Sequence, residues 1–455
     1  MSISERTSTR GRLALPIAAG AGFLAGLDTT AVNLALPDIQ RTLAAGPGEL
    51  PWVVNAFALL SAALLVTAGN LSDRFGRRRV FVVGLLAFAA ASAACGLAPT
   101  VLLLDLARAA QGAAAAAVTA SGLAVLASSY EPAERGRALG FYSAIAALSF
   151  VVGPLLGGVL TDLSGWRAVF LANVPVAVLI AVAAQTALPE FAGRRGTRFD
   201  YAGVVTFTLG LGALLYAALR GNAIGWANAE VPTVAALGLA ALAAFVAVER
   251  RTSDGIVDLR LFRDRAFAGA VVTFALGGAA YFGMLVYLSL FLQGTQHYDA
   301  IQAGLVYLPT ILPFMIISPV AGRWVARVPG ALLPTVGLVL IACGMLLLVG
   351  LNEGAGLLDV SLAMAVAGIG TGLTVTPLTQ IALGRVPVER SGMASGVLQT
   401  FRPVGVTIGV TALGLAVPDR MDAAGFSGTA VIAAVLAAAA AVVAVLTIRS
   451  GTTRS

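Results

Sequence analysis

One pattern constrains this chain more than any other. Apolar stretches of near-constant length recur from end to end, and the short polar segments between them hold almost all of the charge. A hydrocarbon core of about 30 Å takes roughly 20 helical residues per crossing. Fourteen stretches meet that length. Residues 13–36, 51–71, 80–97, 101–126, 139–161 and 168–188 form a first six; after the polar link 190–200, residues 201–219 and 232–248 form a separate pair. Residues 266–292, 301–321, 331–351, 357–383, 392–417 and 428–448 form a second six. Each stretch is continuously apolar rather than alternating, so helices that satisfy their own backbone are expected and a β-barrel is not. With 58% hydrophobic residues against 11% charged, a water-soluble globule is excluded. The expected fold is an all-α polytopic membrane protein. It comprises an N-terminal six-helix half (1–189), a two-helix insertion with its linkers (190–265) and a C-terminal six-helix half (266–455).

The 29 basic residues are all arginine and outnumber the 22 acids, for a net charge of +7. A nucleic-acid binder would carry a basic stripe on a soluble face. Here the arginines sit in clusters between apolar stretches, so no nucleic-acid partner is expected. Over alternate connecting segments 23 fall on one side, and only Arg41, Arg167, Arg220 and Arg420 on the other. The positive-inside rule makes the first side cytoplasmic, with both termini on it. An even number of spans requires the termini to share a side as well. Residues 1–12 are polar, and the apolar stretch behind them lacks a small-residue cleavage site, so it is read as a retained span rather than a signal peptide. Cys95 and Cys343 lie far apart in apolar stretches, and the single histidine, His297, is read as a solvated loop residue. No metal, cofactor or catalytic constellation is expected.

The two sets of six carry traces of a repeat. The segment 69–77 (GNLSDRFGR) aligns with 322–330 (GRWVARVPG), 253 positions later, and Gly153 and Gly157 align with Gly405 and Gly409 at an offset of 252. Two halves related by a near-constant offset describe a duplicated transporter better than a receptor or membrane enzyme.

Several motifs fall on the right spans in the right order. Segment 27–37 (LDTTAVNLALP) lies in the first span, Trp52 opens the second, and Gly69 to Arg78 follow it. Segment 108–112 (RAAQG) lies in the fourth span and 153–158 (GPLLGG) in the fifth, followed by 165–175 (GWRAVFLANVP). Segments 258–263 (DLRLFR) and 399–402 (QTFR) extend the set through the second half. Over nearly its whole length the chain resembles the fourteen-span drug:proton antiporters of the major facilitator superfamily. The resemblance implies a proton-exchanging role for Asp28 and a cytoplasmic gate at Gly69, Asp73, Arg74, Gly76 and Arg77. It also implies an antiporter signature at Gly153, Pro154, Gly157 and Gly158.

Physical reasons stand beside these residues. Asp28 is the only acid in its span, where an ionised carboxylate costs about 2.5–3.5 kcal/mol unless it is protonated, paired or wetted. At 1.5 Å per residue, Asp28 lies about 12 Å and Arg108 about 10 Å below the outer ends of their spans, so the two can meet. Such a pair serves either proton exchange or structure alone. Asp105, three residues before Arg108, can share it or reach the outer interface, which leaves open which acid titrates. Asn33 and Gln111 are polar candidates for the substrate cavity. Asp73 can sit near a helix N-terminus of the other half, and the glycines permit a tight turn. In the second copy Ala326 stands where the aspartate would be. Gly153, Pro154, Gly157 and Gly158 permit close packing and a bend. Arg402 is read as snorkelling to the cytoplasmic interface, and the second-half spans are expected to hold no carboxylate for a dication site.

The expected function is proton-coupled export of hydrophobic or amphipathic small molecules by a monomer in the bacterial inner membrane, driven by the proton gradient without a cofactor. The alternatives are an exporter of an endogenous metabolite, an uptake symporter, and a membrane receptor that does not transport.

Overall fold

The computed structural model describes residues 3–46, 49–190, 200–252, 255–296, 298, 306–351, 357–417 and 422–448. His297 and the arginines of segments 191–199, 418–421 and 449–455 lie outside them. Helices α1 (Ile3–Leu43), α2 (Leu50–Phe75), α3 (Arg77–Gly96), α4 (Val101–Ser129), α5 (Pro132–Ser164), α6 (Trp166–Leu171) and α7 (Asn173–Ala187) pack among themselves. So do α10 (Arg265–Leu290), α11 (Leu308–Trp324), α12 (Leu332–Leu347), α13 (Leu357–Gly384), α14 (Ser391–Gly414) and α15 (Ala423–Thr447). Between the two sets run α8 (Tyr201–Ile224) and α9 (Glu230–Arg251). Among the described residues, eleven helical segments are long and apolar enough to cross a membrane, α6 and α7 counting as one, and α12 is a shorter apolar helix.

The sixth apolar stretch forms one crossing, Trp166–Ala187, with a single helical hydrogen bond missing: Pro175 has no N–H to offer the Leu171 carbonyl, while Ala172 keeps helical dihedrals (φ −63°, ψ −28°). Pro154 lies inside an unbroken α5. Gly76, at φ 102°, makes the turn that reverses α2 into α3, a conformation that a Cβ would strain.

Helices without a hydrophobic drive to associate in lipid rely on small residues that let backbones approach. A Cβ on Gly153 would strike Thr30, and one on Gly157 would strike the Ala31 backbone, which fixes α5 against α1. In the second set, Cβ atoms on Gly405 and Gly409 would strike the Ala275 and Ala279 backbones, which fixes α14 against α10 in the same way. The repeat in the sequence is thus a repeat in packing.

The two sets meet at the Arg-flanked ends of their helices. Gly69 of α2 lies against the Gly392 backbone of α14, Gly396 against Leu65 and Val66, Gly136 of α5 against Gly322 of α11, and Gly140 against Pro319. These two seams, α2 with α14 and α5 with α11, exchange corresponding helices of each set and describe a pseudo-twofold. α8 lies along the α2–α14 seam: Leu211 and Leu215 pack on Ala62 beside Val404, and Tyr216 stacks on Trp52 at 5.5 Å.

Candidate functional site

Asp28 and Arg108 are brought together. Both side chains are 0% exposed, and Arg108 Nη1 donates to Asp28 Oδ2 at 2.5 Å. The other carboxylate oxygen, Oδ1, accepts from Gln111 Nε2 at 2.8 Å and from Asn173 Nδ2 at 2.7 Å. All three partners donate, which is the pattern of a carboxylate rather than a carboxylic acid. Arg108 also donates from Nε to the Val53 carbonyl at 2.8 Å and from Nη1 to Gln111 Oε1 at 2.6 Å. Its guanidinium lies over the Phe57 ring at 4.3 Å. Gln111 Nε2 reaches Ser92 Oγ at 2.8 Å.

The helices dictate this convergence. Arg108 and Gln111 are three residues apart on α4 and share a face, which turns Gln111 inward. As a candidate wall residue of a substrate cavity Gln111 is thereby corrected: it is buried in the polar cluster. Asn173, buried at the start of α7, reaches Asp28 because α7 packs against α1. Sequence reasoning gave neither Asn173 nor Ser92 a role, although an amide in an apolar span next to a proline was the available signal. The α5–α6 turn is capped from α1, with Trp166 N–H donating to Asp38 Oδ2 at 3.0 Å.

Asp105 stands apart. It is half-buried on α4, its Oδ1 has no hydrogen-bond partner, and Arg108 directs no bond to it. The shared-arginine arrangement is therefore not the one adopted. Asn33 is exposed on α1. A depression of about 460 Å³, lined by Leu36, Pro37, Gln40, Leu50, Pro51, Val54 and Asn55, opens between α1 and α2 at the end remote from the arginine-rich face.

A second constellation joins the two sets at that face. Asp73 accepts from the backbone N–H groups of Gly392 at 2.9 Å and Met393 at 2.8 Å, the first turn of α14. Unpaired N–H groups and the positive end of the helix dipole suit a carboxylate there. Arg77 pairs with Asp73 at 3.3 Å and donates to the Val388 carbonyl. Arg390 pairs with Asp258 of the segment before α10, an ion pair that the sequence reading missed. Arg74 lies at the end of α2, over the Phe75 ring. Pro154 and Gly158, with Gly153 and Gly157, lie on α5 beside α1 and form no polar site.

Two further expectations are corrected. Arg402 does not sit within reach of the arginine-rich interface; it is exposed at the middle of α14. The second-half spans do hold a carboxylate, because Asp359 lies exposed in the first turn of α13.

The family model for the Major Facilitator Superfamily matches residues 18–410. The chain is 40% identical to multidrug resistance protein Stp of Mycobacterium tuberculosis over 89% of its own length and 76% of that protein. It is 31% identical to the tetracenomycin C resistance and export protein of Streptomyces glaucescens, over 90% of the chain and 76% of the relative. It is 35% identical to the cephamycin export protein CmcT of Amycolatopsis lactamdurans, over 94% and 88%. Among solved structures, the human organic anion transporter MFSD10 (TETRAN) superposes with TM-score 0.72 at 15% identity, covering 95% of this chain and 99% of that one. The proton:xylose symporter XylE superposes at 0.66 with 14% identity, covering 96% and 95%.

Proposed function

The chain belongs to the Major Facilitator Superfamily, and from that membership we propose that it is a fourteen-span antiporter that exports hydrophobic or amphipathic compounds in exchange for protons. It is a multi-pass membrane transporter and not an enzyme. Fifteen α-helices among the described residues, with α6 and α7 sharing one crossing, support the count of fourteen, eleven of them long and apolar enough to cross a membrane. The arginine distribution supports both termini on the cytoplasmic side of a bacterial inner membrane. The mirrored Gly157 and Gly409 contacts support halves at 1–189 and 266–455 joined by 190–265. The names of the relatives support export of drugs or antibiotics. A producer's own metabolite is a second reading, favoured by the similarity to the tetracenomycin C resistance and export protein.

The observation that carries proton coupling is the sealed carboxylate of Asp28 with three donors on it. Charge at that depth is tolerated only while every partner stays in place. Protonation cancels the pairing with Arg108 and turns one accepting oxygen into a donor that faces donors. That loosens α1 from α4 and α7, the helices the cluster ties together. The cycle then has Asp28 loaded from outside, the halves rocking about the midplane cavity, and release of the proton inward as the compound leaves outward. Asp73 on the first turn of α14 latches the cytoplasmic face shut, with Gly69, Arg74, Gly76 and Arg77 shaping the latch. No cofactor enters this cycle, and one chain carries it.

Asp28→Asn tests the coupling in inverted vesicles with an imposed pH gradient. The variant keeps an oxygen that accepts from Arg108 but removes its counter-charge, so it is expected to insert at reduced yield and to lose gradient-driven transport per inserted protein. Full proton-driven export by that variant would sink the assignment.

A further inference from the structure

Arg402 has no part in the cycle above. It is the twelfth of the 24 residues of α14, about 16 Å along the axis from Ser391, too deep for its guanidinium to reach the arginine-rich interface. Its side chain is nevertheless exposed and borders a cleft among helices of the second set. Gly278, Tyr281 and Phe282 of α10 with Thr371 and Thr374 of α13 line the cleft around it. Tyr142 of α5 is the titratable group that acts on it from the opposite set. Among the described residues Arg402 makes no ion pair. Its one ring contact is Phe282, 6.0 Å from the guanidinium carbon, at the outer limit of a cation–π interaction. The neighbouring acids are committed or remote: Asp28 is held by Arg108, Gln111 and Asn173, Asp105 lies on α4, and Asp359 lies at the start of α13.

An unpaired guanidinium at mid-depth is costly and marks a working site by default. Its planar fork of donors matches a carboxylate two bonds at a time. The Phe282 ring, packed edge to face on Tyr281, offers an apolar surface beside it, and Gly278 leaves that surface uncrowded. Tyr142 of the other set lies near enough to act on the guanidinium electrostatically, while its own ring and hydroxyl are buried against Gly22 of α1.

We propose that Arg402 anchors an acidic group, a carboxylate or an ionised phenol or enol, on an exported compound with a planar apolar body. The assignment rests on the exporter reading and narrows its substrate class: monoanions are favoured, and cations are repelled from the cleft.

The full chain is tested in inverted vesicles with three probes: nalidixate as an aromatic carboxylate, chloramphenicol as a neutral compound and ethidium as a cation. Binding is read separately, as thermal stabilisation of the purified protein by nalidixate. The expected result is nalidixate export that falls at least tenfold in Arg402→Gln and less in Arg402→Lys, with stabilisation by nalidixate lost in Arg402→Gln and membrane yield unchanged. Nalidixate export or stabilisation that survives Arg402→Gln at the wild-type level overturns the anion site. So does an absence of both nalidixate export and stabilisation in the wild type, whatever happens to the other two probes. Arg402-dependent stabilisation in a protein that exports none of the three upholds the anion site and overturns the exporter reading instead. Should Arg402→Gln not reach the membrane, stabilisation of the wild type by nalidixate but not by its ethyl ester upholds the site, and equal stabilisation by both overturns it.

Discussion

At the scale of single residues, the chemistry of this chain turns on how a buried carboxylate is satisfied. Asp28 is met by a guanidinium and two amides drawn from α4 and α7, and Arg108 spends three further contacts on Val53, Gln111 and Phe57. A lysine at 108 carries a point charge without the fork and cannot reach Val53 and Asp28 together. Arg108→Lys is therefore expected to insert yet lose at least tenfold in proton-driven export, measured in inverted vesicles. Arg108→Ala leaves a buried charge unpaired, a penalty of about 3–5 kcal/mol, and membrane yield should drop. Adding Asp28→Asn to Arg108→Ala removes that charge and should restore yield without restoring export; a double variant as poorly inserted as Arg108→Ala would contradict this account. The meeting of Asp28 and Arg108 was legible because depth in a span follows from counting residues. The amides were not, because one helical turn decides whether Gln111 faces a cavity or a carboxylate, and the packing of α7 against α1 decides what Asn173 meets. Arg402 was misread for a different reason: the lack of an acid partner in its own half suggested snorkelling to the interface, whereas the residues around it come from α10 and α13, which are separate in sequence.

At the scale of helices, glycine position separates two kinds of contact that look alike in sequence. Gly157 sits against Ala31 within one set, whereas Gly136 sits against Gly322 across the two. Overpacking either contact costs typically about 1–3 kcal/mol, but the cost falls on different states. Gly157→Val should weaken the α1–α5 pairing in every state and lower thermal stability of the purified protein. Gly136→Val should cost only the state in which the arginine-rich ends touch, leaving stability near wild type while transport falls. Equal loss of stability in both variants would refute the distinction. The equivalence of the glycines of the fifth and thirteenth spans was legible from the 252-residue offset between Gly153 and Gly405. Which glycines bridge the sets was not, since close approach between helices of different sets depends on the state the molecule occupies.

At the scale of the whole molecule, both seams close at one end. α2 meets α14 and α5 meets α11 beside the arginine clusters, while at the opposite ends Gly157 and Gly409 find partners only within their own sets. The duplication was readable from spacing; the conformational state was not, because no single segment encodes it. The inserted helix α8 is fixed to this arrangement through Leu211, Leu215 and Tyr216 along the α2–α14 seam, so rocking must carry α8 with one set or shear it past the other. What holds the seam at its closed end is concentrated in Asp73, whose two bonds to Gly392 and Met393 are charge-assisted and buried. Hydrogen bonds to a charged group are worth about 1.5–3 kcal/mol each, and water rehydrates the freed amides once the seam opens, so a net shift of at least one factor of ten in the equilibrium is expected from Asp73→Ala. Access reports that shift directly. With Cys343 replaced by alanine and Cys95 buried, a cysteine introduced by Asn33→Cys provides an exposed thiol on α1. In intact cells an impermeant maleimide should label it readily in the latched protein and more slowly once Asp73→Ala is added, in proportion to the latched population that is lost. Unchanged labelling would mean that the seam is held by the backbone contacts of Gly69 and Gly136 with their partners and not by the carboxylate.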